Sequence, residues 1–233
     1  MSVRFGIAVF PGTWSDRDCA HAVELAGAEA VQLWHGDRDL KGADVVILPG
    51  GFAYGDYLRT GAIARFAPLM AAVREHAALG GLVLGICNGF QILCEAGLLP
   101  GALLRNSSLQ FRCQPCWLRL EAPAAAFFGQ CQPGGLLRLP ISHGEGRFYA
   151  DKETMAQLNG EGRVALRYTD AGGRLTDPAN PNGSLEAVAG ILSEGRNVLG
   201  LMPHPERACE PLLGSSDGLL MFRSLIGQLG SRT

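Results

Sequence analysis

The segment from Gly81 to Gly89 constrains the fold more than any other part of the chain. It opens with the apolar run Gly81-Leu82-Val83-Leu84, which is typical of a buried strand, and a helical pattern starts at Phe90. Between the two lies Gly85-Ile86-Cys87-Asn88-Gly89. Glycines on both sides of one reactive side chain are typical of a nucleophile elbow, a sharp turn from a strand into a helix. The sequence therefore predicts such a turn with Cys87 at its tip.

Cys87 is a candidate nucleophile because of its place before this helix. Unpaired backbone N–H groups and the positive end of the helix dipole stabilise a thiolate at a helix N-terminus. A thiolate nucleophile works together with a neighbouring base. The rest of the chain can therefore be searched for a histidine and for the carboxylate that would orient it.

Two of the five histidines are candidates for this base, whereas His21, His35 and His76 lie in stretches without a suitable carboxylate. His204 is followed by Pro205 and Glu206. Because proline keeps the preceding residue extended, His204 and Glu206 point to the same side, as a base and its orienting acid require. His143 has the same offset from Glu145, but the neighbouring glycines leave its backbone permissive. We therefore favour His204 and keep His143 as the alternative.

An oxyanion hole is predicted from the turn that follows another apolar run. In Leu48-Pro49-Gly50-Gly51-Phe52, the Gly50-Gly51 pair directly follows a strand and can aim a backbone N–H at the mouth of the sheet. The N–H of Asn88, the residue after the nucleophile, is the natural second donor.

The order of apolar and amphipathic segments predicts an α/β fold with a mostly parallel sheet and helices on both faces. Residues 1–233 are expected to form a single domain. The predicted strands are 4–10, 30–33, 44–48, 82–86, 116–120, 136–141, 163–168, 187–191 and 197–202, and the predicted helices are 16–28, 60–78, 90–95 and 218–229.

Composition excludes several other classes of protein. The chain is 47% hydrophobic and has a net charge of -2, so we expect no nucleic-acid partner. It contains no apolar run long enough to cross a bilayer, and its first ten residues are predicted to form a strand rather than a signal peptide. Seven cysteines, an odd number, favour a reduced, cytoplasmic setting. Cys113 and Cys116 have the spacing of half a zinc site, but no second pair exists, so we predict structural thiols and no metal.

Longer motifs carry a specific resemblance. Gly-x-Cys-x-Gly-x-Gln at 85–91, with Pro-Gly-Gly before it and His-Pro-Glu after it, resembles class I glutamine amidotransferases. Five further segments resemble sequence motifs of one family, the glutaminase subunits of phosphoribosylformylglycinamidine synthase, an enzyme of purine biosynthesis. These segments are residues 49–61, 105–111, 140–148, 180–184 and 202–207.

This resemblance implies a flavodoxin-like fold, the catalytic triad Cys87, His204 and Glu206, and Gln91 close to a bound glutamine. It also implies a partner, an ATP-dependent synthetase subunit, with a small bridging subunit as a further candidate. The chain has no phosphate-binding loop of the Gly-x-x-x-x-Gly-Lys-Ser/Thr type, so ATP and magnesium are expected on that partner and no cofactor on this chain. Phe52, Tyr54, Tyr57 and Arg59 are candidate interface residues.

Two other classes of protein are weighed against this prediction. Cysteine peptidases and chaperone-like proteins of a related fold carry a similar elbow, but the distant His-Pro-Glu motif and Gln91 speak against them. A non-catalytic regulatory partner that keeps the fold is the second alternative.

Overall fold

The computed structural model describes residues 2–122, 125–132 and 134–230, and within them eleven strands and five α-helices. The strands are β1 (Arg4–Val9), β2 (Glu29–Trp34), β3 (Val45–Leu48), β4 (Leu82–Ile86), β5 (Ala102–Leu104), β6 (Arg112–Leu120), β7 (Leu136–His143), β8 (Arg147–Tyr149), β9 (Val164–Thr169), β10 (Val188–Leu192) and β11 (Val198–Leu201). The helices are α1 (Asp16–Leu25), α2 (Pro68–Ala78), α3 (Asn88–Glu95), α4 (Lys152–Gly160) and α5 (Asp217–Gly230).

Nine strands form one mixed sheet in the order β2-β1-β3-β4-β11-β10-β9-β6-β7. The first five are parallel to one another and follow the flavodoxin-like order. Every residue of β3 and β4 is buried, as expected for strands covered on both faces. The predicted α/β class with a mostly parallel sheet is therefore confirmed.

Helices cover both faces of the parallel strands. α1 packs on β1 and β2 and also contacts α5, whereas α2 and α3 pack against β4. The crossovers β1-α1-β2 and β3-α2-β4 run in opposite directions across the sheet, so their right-handedness puts α1 and α2 on opposite faces. No helix in the described part of the chain is long and apolar enough to cross a membrane.

The last four strands of the sheet extend it with antiparallel pairs. All four were predicted as strands, but β6 begins at Arg112 rather than at Cys116. Three elements were missed. β5 and β8 are three residues each, and α4 buries only Met155 and Leu158, so its apolar period is weak.

The predicted helix over residues 60–78 is wrong in its first half. Ala64–Phe66 forms a short 3₁₀ turn, and α2 begins only at Pro68. Ala67 is extended, with ψ at 142°, because a residue before proline is pushed out of the helical region. Likewise α1 ends at Leu25 rather than Ala28, since Gly27 adopts a left-handed conformation that interrupts the helix.

The two glycines of the elbow allow α3 to lie directly against β3 and β4. A Cβ on Gly89 would overlap the carbonyl oxygen of Leu48 at the end of β3. A Cβ on Gly85 would collide with the side chain of Leu93 and with the backbone of Gly89. The strand-to-helix turn is therefore closed by backbone contact, which no residue larger than glycine permits.

We expect Gly89→Ala to destabilise the fold, because the added methyl group meets backbone that cannot move independently of β3. Overpacking of this kind costs about 1–3 kcal/mol, which corresponds to a decrease in Tm of about 3–10 °C for a chain of this size. Thermal unfolding measures it. Gly160→Ala is the matched control, since nothing lies within 4 Å of its added Cβ and its Tm should not fall. A Gly89→Ala variant as stable as this control would contradict the close packing.

Candidate active site

Cys87 lies between β4 and α3 in a strained backbone conformation. Its φ and ψ are 51° and -104°, a region that residues other than glycine rarely adopt and that clusters at functional sites. The backbone is held there on both sides, since Cys87 N donates to the carbonyl of Leu201 and Gln91 N donates to the carbonyl of Cys87. The residue is only 6% exposed, and its Sγ lies 3.7 Å from the carbonyl oxygen of Ser142.

His204 leaves the neighbouring strand at the same edge of the sheet. β11 pairs in parallel with β4, with Leu201 opposite Ile86, so the residues that follow the two strands emerge side by side. His204 Nδ1 and Glu206 Oε1 are 2.6 Å apart, and both residues are only 2% exposed. The backbone N–H of His204 donates to the carbonyl of Pro140 and helps to hold the ring in place.

The electrostatic surroundings of His204 favour its protonated form. Burial lowers the pKa of the ring, but the charges of Glu206 and of a Cys87 thiolate outweigh burial and raise the pKa from 6.5 to about 10. Nε2 of His204 has no hydrogen-bond partner among the described residues. The ring therefore has one nitrogen on its carboxylate and a second nitrogen available for proton transfer.

The Gly50-Gly51 turn packs against both the base and the loop after β1. A Cβ on Gly50 would lie 2.7 Å from Cε1 of His204, so only glycine leaves room for the ring. Gly51 has a φ of 152° and faces Thr13 as a bridge partner. Hydrogen bonds flank this pair on both sides, because Phe52 N donates to Gly12 O and Trp14 N donates to Gly50 O. Gly51 and Thr13 are therefore a non-hydrogen-bonded pair of an antiparallel bridge, and the N–H of Gly51 points away from Thr13.

A cavity with two lobes opens on either side of Cys87. The larger lobe, about 370 Å³, and the smaller, about 170 Å³, share Gly51, Phe52, Cys87, Phe111 and Ser142. The larger lobe is otherwise lined by Trp14, Ser15, His204 and Arg207, and the smaller by Asp56, Thr60, Gln91, His143, Gly144 and Glu145. The predicted site residues Cys87, His204, Gly51 and Gln91 thus meet at one cavity.

The side chains of Asn88 and Gln91 support the smaller lobe from α3. Asn88 Oδ1 accepts from the N–H of Ala53, and its Nδ2 donates to Gln91 Oε1 at 2.9 Å. Gln91 Nε2 donates in turn to the carbonyl of Glu145 at 2.6 Å. Asn88 was predicted only for its backbone N–H, which belongs to the first turn of α3 and so has no partner within that helix. The structure shows in addition that its side chain links the two loops that close the site.

His143, the alternative base, is engaged elsewhere. Asn182 Oδ1 accepts from the N–H of Ser184, which directs Nδ2 of Asn182 to the carbonyl of Gly146 and to Nε2 of His143 at 3.1 Å. Nε2 of His143 therefore accepts a hydrogen bond, and Nδ1 carries the hydrogen. Burial, together with the positive charge of His204, lowers the pKa of His143 to about 3. The geometry supports His204 as the base.

Sequence reasoning missed several residues that line the cavity. Asp56, Phe111 and Ser142 lie in the strings that carry the family resemblance, and that position was the one signal that could have identified them. Their side chains have no chemical motif of their own. Only the folded loops bring them next to Cys87.

Cys113 and Cys116, which have the spacing of half a zinc site, point in different directions. Cys113 is exposed and Cys116 is buried, as expected for residues three apart on one strand, β6, which point to opposite faces. Burial raises the pKa of Cys116 to about 12. In the part of the chain that the structure describes, no group of three or more His, Cys, Asp or Glu residues is arranged to hold a metal ion.

Comparison with known proteins gives consistent similarities. The sequence pattern of the CobB/CobQ-like glutamine amidotransferase domain matches residues 2–218. The phosphoribosylformylglycinamidine synthase subunit PurQ of Rubrobacter xylanophilus is 57% identical over 96% of this chain and 98% of that relative. The same subunit of Salinibacter ruber is 53% identical over 98% of each chain. A solved structure of PurLQS from Thermotoga maritima is similar with a TM-score of 0.87 and 42% identity, covering 98% of this chain and 100% of the other.

The raised pKa of His204 predicts a pH-dependent contribution to stability. Its pair with Glu206 stabilises the fold fully below the unfolded-state pKa of about 6.5, and less as the pH rises towards about 10. We therefore expect Glu206→Gln to lower the free energy of unfolding, measured with urea, more at about pH 6 than at about pH 10. Glu194→Gln, at an exposed position, is the control and should show little loss at either pH. Equal losses by Glu206→Gln at both pH values would contradict a protonated His204 paired with this carboxylate.

Proposed function

The chain belongs to the family of CobB/CobQ-like glutamine amidotransferases and, within it, to the glutaminase subunits of phosphoribosylformylglycinamidine synthase, and we propose that it hydrolyses glutamine through Cys87, His204 and Glu206. One observation carries the proposal. Cys87, whose backbone is strained, lines the same cavity as His204, and Nδ1 of His204 lies 2.6 Å from Oε1 of Glu206. This is the arrangement of a nucleophile, its base and an orienting acid.

In the first half of the reaction, the Cys87 thiolate attacks the side-chain amide carbon of glutamine. The C=O electron pair moves onto oxygen, where the backbone N–H groups of Gly51 and Asn88 stabilise the charge. His204 then gives its Nε2 proton to the amide nitrogen. The C–N bond breaks, ammonia leaves, and a γ-glutamyl thioester remains on Cys87.

In the second half, water releases glutamate. Neutral His204 takes a proton from the water, and the resulting hydroxide bonds to the thioester carbon. When this second tetrahedral intermediate collapses, the C–S bond breaks and its electrons return to sulfur. The thiolate and the imidazolium are thereby restored, and the new carboxylic acid loses its proton to solvent. Glu206 keeps Nδ1 of His204 protonated throughout.

The ammonia is proposed to pass to an ATP-dependent synthetase subunit that converts formylglycinamide ribonucleotide to formylglycinamidine ribonucleotide. Free ammonia in neutral water is mostly ammonium, which is not nucleophilic, so direct delivery preserves its reactivity. The name PurLQS of the Thermotoga maritima structure supports an assembly with a PurL synthetase and a small PurS subunit. ATP and magnesium then belong to the synthetase, and this chain needs no cofactor.

Exposed apolar side chains beside the cavity support docking of that partner. Phe52 is 44% exposed and Tyr57 is 74% exposed, while Trp14 and Phe52 meet edge to face at the mouth of the larger lobe. Tyr54, in contrast, hydrogen-bonds to His35, and Arg59 pairs with Glu95. Of the four interface residues proposed from the sequence, Phe52 and Tyr57 present free apolar surface. Residues 1–233 are proposed to act as a single domain in this assembly.

Cys87→Ser should abolish formation of the amidine product with glutamine and leave the reaction with added ammonium salt intact, because the synthetase reaction needs ammonia and not its source. Product formation by the assembled complex, assayed with each nitrogen donor, measures this. Cys113→Ser is the control, since Cys113 is exposed and outside the cavity. Activity of Cys87→Ser with glutamine would contradict the proposal.

A diazoketone analogue of glutamine should also label Cys87; cleavage of peptides without such labelling would favour a peptidase.

Tyr57→Ser should weaken assembly with the synthetase at least about tenfold, because a large, exposed aromatic side chain of this kind is typical of interface hot spots. Analytical ultracentrifugation of the mixed subunits gives the Kd. Leu79→Ser is the control, because Leu79 is 82% exposed but follows α2, at the opposite edge of the sheet from the cavity. Equal effects of the two substitutions would argue against this docking face.

A further inference from the structure

Four charged side chains of alternating sign form a line that starts at the proposed base. His204 Nδ1 lies 2.6 Å from Glu206 Oε1. The same oxygen lies 3.8 Å from Arg207 Nε, which in turn lies 3.3 Å from Asp18 Oδ2 on α1. The side chain of Glu206 is fully buried, whereas those of Arg207 and Asp18 are 32% and 48% exposed. Arg207 therefore connects the buried histidine–carboxylate pair with the protein surface.

The buried carboxylate of Glu206 has few other sources of stabilisation. Within residues 2–122, 125–132 and 134–230, its Oε2 has no hydrogen-bond partner, and only His204 and Arg207 form ion pairs with it. Cys19 on α1 and Cys209 also face this carboxylate. Burial and the charge of Glu206 raise the pKa of both thiols, so both stay uncharged. Because a buried charge requires compensation, Glu206 depends on its two cationic neighbours.

The guanidinium of Arg207 also holds the loop that supports the oxyanion turn. Nη2 of Arg207 donates to Ser15 Oγ at 2.9 Å, and Ser15 is fully buried. The backbone N–H of Ser15 donates to the carbonyl of Gly50 at 3.1 Å. Since a guanidinium is a rigid, planar fork, this one side chain fixes the distance between Glu206 and the turn that follows β3.

The backbone of Arg207 is fixed relative to the base and the acid as well. Arg207 ends the 3₁₀ turn Pro205–Arg207, which carries Glu206, and its N–H donates to the carbonyl of His204 at 3.3 Å. Its side chain lines the larger lobe of the cavity, as His204 does. A surface ion pair with Asp18 alone would not require Arg207 to face either the acid or the cavity.

We propose that Arg207 is a positioning residue for glutamine hydrolysis, which limits how strongly Glu206 attracts the proton of His204 and holds the oxyanion turn beside them. The inference rests on the proposed function and extends it to a residue that does not touch the reacting atoms. A carboxylate between two cations holds a proton on either one less tightly than it would alone. Arg207 thus favours the neutral His204 that activates water. Cys87 and His143 are the other titratable groups that act on His204 or respond to its charge.

The test separates the charge of Arg207 from its shape. Arg207→Gln removes the charge, whereas Arg207→Lys keeps the charge and loses the fork. Ser15→Ala removes one acceptor of the fork and leaves every charge in place. The kcat and KM for glutamine are measured against pH in the assembled complex, and the rate with ammonium salt is measured on the same samples. Arg223→Gln, at an exposed position on α5, is the matched control and should match wild type.

We expect Arg207→Gln to lower kcat for glutamine about tenfold or more, with KM within about threefold of wild type and the ammonium-dependent rate unchanged. The ascending limb of its kcat–pH profile should move up by about half a pH unit or more, because Glu206 then holds the proton of His204 more tightly. Arg207→Lys should leave this limb in place and lower kcat less. Ser15→Ala should lower kcat about threefold or more, also without moving the limb.

An unmoved limb for Arg207→Gln, or an equal shift for Arg207→Lys, would overturn the assignment. Equal losses with glutamine and with ammonium salt would do the same, since they would indicate a purely structural role. Should Arg207→Gln fail to fold, wild-type kcat in Ser15→Ala would overturn the assignment instead. A wild-type complex inactive with glutamine but active with ammonium salt would overturn the proposed function as well, so the two failures are distinguishable.

Discussion

Direct backbone contact between α3 and the end of β3 is the constraint on which the site depends. Because Gly89 lets the helix rest on the carbonyl of Leu48, the turn between β4 and α3 is too short for relaxed geometry, and Cys87 takes up the strain with a positive φ. The same contact sets the distance from α3 to the Gly50-Gly51 turn that follows β3. The proposed nucleophile and the proposed oxyanion donors are therefore positioned by the same packing contact.

Local chemistry explains which parts of this arrangement could be predicted from the sequence. The roles predicted for Cys87 and His204 follow from residues close to them in the sequence. Cys87 has a glycine two residues away on each side, and His204 is followed by Pro205 and Glu206. Fully apolar strands such as β3 and β4 likewise indicate a sheet that is covered on both faces. The antiparallel half of the sheet depends on pairings between distant segments, which no local pattern specifies. α4 was missed because it buries only two side chains, which leaves a weak apolar pattern. The helix predicted from residue 60 begins only at Pro68, because the prediction followed the apolar pattern and ignored the effect of the proline on the residue before it.

The two histidines near the cavity show why residue type alone does not assign a role. His204 lies against a buried carboxylate, whose charge helps to raise the pKa of the ring. His143 has no such carboxylate, and burial together with the positive charge of His204 lowers the pKa of its ring. Asn88 and Asp56 make the same point, because their side chains acquire a role only when the loop after β3 folds onto α3. Such roles become visible when distant loops meet.

The parallel pairing of β4 with β11 also has a consequence for biosynthesis of the protein. The thiol is made well before the segment that carries its base, and the two come together only when β11 inserts between β4 and β10. Closing so long a loop is a late and entropically costly step. A nascent chain that ends after α3 therefore carries Cys87 without His204 and Glu206, the two residues proposed as its catalytic partners.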